Sequence, residues 1–110
     1  MFTGPRFVSF GCWKDTIPRV ITSIEGQSSN DVMSSILTGS YLYREDAIQK
    51  CYKAAKVLGF EVFAIQDGGQ CMSSAMAATE YNKEGRSLEC NADGKGGPMA
   101  NNVYRIIKVE

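Results

Sequence analysis

Four cysteines, Cys12, Cys51, Cys71 and Cys90, are spread through 110 residues that contain no histidine. No two of them form a C-x-x-C pair, and without histidine the usual tetrahedral zinc sets cannot be completed. An even count at wide spacing in a small chain points to two disulfides and an oxidising compartment. The alternative is four reduced thiols in the core. The lack of histidine also removes the commonest general base and the neutral-pH switch. A length of 110 residues suits a single domain, residues 1–110. Hydrophobic residues make up 44% and charged residues 22%, the usage of a packed domain and not of a disordered chain. Twelve basic residues balance twelve acidic ones. Nucleic acid is therefore not an expected partner, because counterion release needs a basic surface. No apolar run approaches roughly eighteen residues, so membrane insertion is not expected either. The opening Met1-Phe2-Thr3-Gly4-Pro5-Arg6 lacks the basic-then-apolar layout of a signal peptide.

The pattern along the chain predicts an α+β fold. Residues 6–13 are aromatic and β-branched and read as a strand. Pro18 ends any regular element there. Residues 20–42 are serine-rich with no clean period and read as a long ordered loop, with one helical turn around residues 31–37. From about Glu45 to Leu58, the residues Ile48, Cys51, Tyr52, Ala55 and Leu58 recur at helical spacing. Glu45 and Asp46 are expected in the first turn of that helix, with Asp46 paired to Lys50 and Gly59 as its left-handed stop. Residues 60–66 are apolar on both alternating sets, the mark of a strand inside a sheet. Asp67-Gly68-Gly69 then turns the chain into a short returning strand, Gln70-Cys71-Met72. Residues 73–89 suggest a loop with one turn of helix, and residues 91–98 are irregular. Residues 102–109 close the chain as a strand expected to pair with the first one. The expected architecture is a small twisted antiparallel sheet of about four or five strands, one main helix across it, two disulfides and long loops.

Gly11-Cys12-Trp13-Lys14-Asp15 resembles the opening of the WSC domain, a small extracellular cysteine-rich module. Glu45 with Cys51, then Gly59-Phe60, Phe63-Ala64 and Gly68-Gly69-Gln70-Cys71, resembles that family's helix cysteine, Gly-aromatic break and G-x-x-C hairpin. Gly96-Gly97 followed by Tyr104 is similar to the family's ending, so the likeness runs in order through roughly residues 8–106. Ala55 and Ser73 stand where the family has a further pair of bonded cysteines, so both ends of one bridge are missing together. The resemblance, to a diverged WSC-like or more loosely PAN/apple-like module, implies the bridges Cys51–Cys71 and Cys12–Cys90. The pairing Cys12–Cys71 with Cys51–Cys90 remains the alternative.

Support for catalysis is thin. Serine has no histidine partner, and no S-x-x-K spacing stands out as a site. Asp67 and Glu61 form the one carboxylate pair suggested by position. Asp93 beside Gly94 falls short of a calcium cage. The glycine runs lack the strand–loop–helix order of a phosphate loop. The expectation is a binding protein, not an enzyme, with no cofactor and no metal. The resemblance implies carbohydrate binding or adhesion outside the cell, so a glycan or an extracellular protein is the expected partner; an adhesion or matrix module and a small secreted effector are the alternatives to a lectin-like module. Sugar recognition needs an aromatic face flanked by hydrogen-bonding side chains. Trp13, Tyr81, Asn82 and Asn102, with Asp67 and Gln70 on the hairpin, are the candidate ligand-binding residues. An adhesion surface would need an exposed apolar patch, for which Met33, Ile36 and Leu37 are candidates.

Overall fold

The fold was read from a computed structural model, which describes residues 6–25 and 35–107. In chain order the elements are β1 (Phe7–Lys14), a 3-10 turn (Tyr41–Tyr43), α1 (Ala47–Val57), β2 (Val62–Gln66), β3 (Gln70–Ser73), α2 (Ala77–Glu80) and β4 (Ala100–Ile106). The four strands form one antiparallel sheet in the order β1-β4-β2-β3. The first and last strands pair from Phe7 opposite Ile106 to Lys14 opposite Ala100, as strands of that composition should. The expected helical turn over residues 31–37 lies largely outside the described residues.

The apolar run of β2 follows from its place between β4 and β3, with cover on both faces. Phe63 and Ile65 point to one side, where Cys51, Tyr52, Ala54 and Ala55 of α1 pack with Tyr104. Val62 and Ala64 point to the other, against Val20, Ile21, Met72, Ala77 and Val103. The period-2 rule that sorts side chains to opposite faces thus fills two cores instead of one. Segment 22–24 runs along the outer side of β3, where Ile24 N–H donates to the Cys71 carbonyl and Ser73 N–H to that of Thr22. Backbone that would otherwise be an open edge is therefore hydrogen-bonded.

Three boundaries differ from the sequence expectation, each for a local reason. Asp46 has φ 50°, a left-handed conformation that cannot continue a helix, so α1 starts at Ala47 and no acidic residue lies in its first turn. The Asp46–Lys50 side-chain pair does not form; the Lys50 N–H donates instead to the Asp46 carbonyl. At the other end Gly59 (φ 79°) closes α1, with Gly59 N–H on the Lys56 carbonyl and Phe60 N–H on that of Ala55. That is a Schellman stop, and it takes up Phe60, so β2 begins only at Val62. β4 begins at Ala100, ahead of Asn102, because Gly97 and Ala100 exchange two hydrogen bonds in a turn that leads straight into it.

Both bridges implied by the resemblance are present. Cys51 of α1 joins Cys71 of β3 with the Cα atoms 5.3 Å apart, and Cys12 of β1 joins Cys90 with them 6.1 Å apart. The sequence separations are 20 and 78, so the chain-entropy estimates are about 3 and about 4.5 kcal/mol. Among the described residues no helix is long and apolar enough to cross a membrane. Replacing Cys51 and Cys71 together by Ala is expected to lower unfolding free energy by about 3 kcal/mol, measured by urea denaturation.

Candidate functional site

The hairpin between β2 and β3 is held by one buried arginine. Arg44, whose side chain is 1% exposed, donates six hydrogen bonds. Two go to the Glu25 carboxylate, at 2.5 and 2.9 Å, and one goes to the Gly69 carbonyl at 2.9 Å. The rest reach the carbonyls of Leu37, Thr38 and Gly39. Glu25 accepts in turn from the Cys71 N–H at 2.7 Å. A guanidinium can satisfy this many acceptors because its fork is planar and always charged.

That anchoring lays the Tyr41–Tyr43 turn against the hairpin. At Gly69 a Cβ would overlap the Tyr41 carbonyl oxygen, and at Gly68 it would come to 3.2 Å from that of Leu42. Glycine here is required by the close approach of two backbones. Asp67 (φ 52°) and Gly68 (φ 91°) both take positive φ, and the Gly69 N–H closes the turn on the Gln66 carbonyl. Loop 93–96 closes the opposite side: the Gly68 N–H donates to the Lys95 carbonyl and the Gly96 N–H to Asn102 Oδ1. The Tyr104 hydroxyl, donating to the Gly94 carbonyl, tethers the same loop. Burial and then the negative charge of Asp93 raise the Tyr104 pKa above its ordinary value of 10.0.

On this surface Tyr43 is 86% exposed and Leu42 53% exposed. The side chains of Tyr43, Asp67 and Gln70 make no hydrogen bond or ion pair with the protein among the described residues. Tyr43 was missed by sequence reading because the stretch before it has no periodicity. A tyrosine next to a buried arginine gives no local sign of which way its ring points.

The six expected ligand-binding residues divide into three groups. Asp67 and Gln70 flank the hairpin turn beside Tyr43. Trp13 and Tyr81 meet edge to face with ring centroids 5.3 Å apart, and Asn82 follows them, exposed. Trp13 is half-buried, donates its indole N–H to the Phe10 carbonyl and carries the Arg86 guanidinium over its ring at 4.6 Å. This cluster closes the outer side of β1, where Trp13 pairs with Arg86. Asn102 faces inward on β4 and uses its carbonyl to hold Gly96.

Asp15 is fully engaged. Its buried carboxylate accepts from the Thr16 and Val20 N–H groups, from Arg19 and from Gln66. Gln66 also donates to Asn101 Oδ1, making a polar seam under the end of the sheet. Glu61 and Asp67 lie at opposite ends of β2, roughly 20 Å apart at the rise of a strand. That exceeds the roughly 5–10 Å between the carboxylates of glycoside hydrolases, so the two cannot work as a pair. Among the described residues no three acidic, cysteine or histidine side chains gather as a metal cage. Ile36 and Leu37 pack against the helix-side core and so form no exposed patch, while Met33 lies outside the described residues.

No protein-family model matches the chain, and no curated protein matches it.

Two outcomes follow from this anchoring. Arg44→Met is expected to cost about 3–5 kcal/mol by urea denaturation, because Glu25 is left without its partner beside the Cys71 amide. The raised Tyr104 pKa means the native state keeps a proton that the unfolded chain releases above pH 10, so stability falls as pH rises through that range. In thermal melts across that range, Tyr104→Phe is expected to show a shallower alkaline loss than the wild type.

Proposed function

We propose that this chain is a secreted, non-catalytic module that binds carbohydrate at the hairpin surface. The observation that carries the reading is the 86% exposed Tyr43, in a turn whose backbone lies against a hairpin where the Asp67 and Gln70 side chains have no hydrogen-bond or ion-pair partner among the described residues. A pyranose has an apolar face that stacks on an aromatic ring and a rim of hydroxyls that need donors and acceptors. Tyr43 would supply the first. The Asp67 carboxylate, an acceptor, and the Gln70 amide, both donor and acceptor, would supply the second. The backbone under them is fixed by Arg44, so little ordering cost falls on binding. The two disulfides fit an oxidising compartment, and the resemblance to WSC domains agrees with a carbohydrate ligand.

A second reading, an adhesion surface for another extracellular protein, is favoured by Leu42, which is exposed next to Tyr43 and offers apolar area that a sugar does not need. A glycan array separates the two. The disulfide-intact protein is expected to retain one class of glycan, with Tyr43→Ala weakening it about tenfold, which corresponds to about 1.4 kcal/mol. An array without a specific signal, or binding indifferent to Tyr43→Ala, rejects carbohydrate recognition at this surface.

A further inference from the structure

The end of the sheet away from the hairpin carries a groove of about 730 Å³. Its size falls within the range of small-molecule sites, about 300–1,000 Å³. It runs from the C-terminal end of α1, past the starts of β1 and β2, to the segment before α2. Its apolar walls are Tyr52, Phe60, Ala75, Ala78, Ile106 and Ile107. The polar groups of the groove lie among Arg6, Lys56, Glu61 and Ser74.

Lys56 has the most informative placement. Its Nζ lies 5.7 Å from the centre of the Tyr52 ring and 3.5 Å from the Tyr52 hydroxyl, with no carboxylate partner among the described residues. An ammonium at the hydroxyl edge of an aromatic wall, without an acidic partner among the described residues, places a positive charge at the edge of an apolar trough. Arg6 and Glu61 bring opposite charges to the same lining, so with Lys56 the charged side chains of the lining carry one positive charge in excess.

We propose that this groove binds an acyl carboxylate, its chain lying along Phe60, Ile106 and Tyr52 and its carboxylate meeting Lys56. The chain would remove apolar wall from water while the carboxylate stays at the solvent-facing rim, so neither part suffers an uncompensated burial. The site is separate from the hairpin surface, and the proposal does not depend on the carbohydrate reading.

The test is calorimetric titration of the disulfide-intact protein with decanoate below its micelle concentration, with decanol and benzoate as comparison probes. Decanoate is expected to bind, decanol and benzoate each at least about fivefold more weakly, since each lacks one of the two contacts. Lys56→Gln, at an exposed helix position, should weaken decanoate about fivefold without changing the melting temperature. Ala75→Trp, also at an exposed position, should fill the groove and abolish binding. Tyr43→Ala should leave decanoate binding unchanged. Failure of decanoate to bind, equal binding of decanol, or binding indifferent to both Lys56→Gln and Ala75→Trp would overturn the proposal.

Discussion

The ion pair between the buried Arg44 and the partly buried Glu25 is the contact on which the hairpin end of the molecule depends. The segments it joins have little regular structure of their own: residues 22–25, the chain from Leu37 to Tyr43 and the hairpin at Gly69. A buried ion pair is weak evidence for net stability, because desolvation takes back most of the Coulombic gain. Its value here is positional. The guanidinium's remaining donors go to the backbone carbonyls of Leu37, Thr38, Gly39 and Gly69. The carboxylate in turn receives the amide of a disulfide cysteine. The pair therefore sets the long loop in register against the sheet, where apolar packing alone would allow several arrangements.

The scaffold beneath divides the work between two devices. Close packing fills both faces of β2, with aromatic rings on the helix side, where Phe63 and Tyr104 stack at 5.2 Å and Phe7 meets both edge to face. The disulfides then tie two further segments covalently to the sheet. Cys51–Cys71 locks the helix across the hairpin strand, and Cys12–Cys90 holds the late loop against the first strand. Beneath the hairpin Asp15, Arg19 and Gln66 satisfy one another, and Asn101 Nδ2 has no partner among the described residues.

Regular elements could be read from the sequence because periodicity is local. The stripe Ile48, Cys51, Tyr52, Ala55 marked α1, and the doubly apolar run 62–65 marked an interior strand. The end strands paired because both are apolar, alternating and terminal. Long-range polar contacts could not be read this way. Gln66, the last residue of the strand expected over 60–66, is a fully buried hub, and Arg44, just ahead of the expected helix, anchors the loop before it. Neither has a neighbour within helical or strand spacing that reports its partner. The candidate site split for the same reason: Asp67 and Gln70 stayed at a surface, whereas Asn102 serves the loop beside it and Trp13 lies under Arg86.

The proposed glycan site is the hairpin braced by Arg44, with the Tyr41–Tyr43 turn laid against it. Amide chemical-shift mapping with a glycan retained on an array tests it most directly. Shifts confined to residues 41–43 and 67–70, with residues 52–60 and 81–86 unmoved, are the predicted result. Shifts centred on Trp13, Tyr81 and Arg86, or on the groove at Phe60 and Ile106, would contradict it.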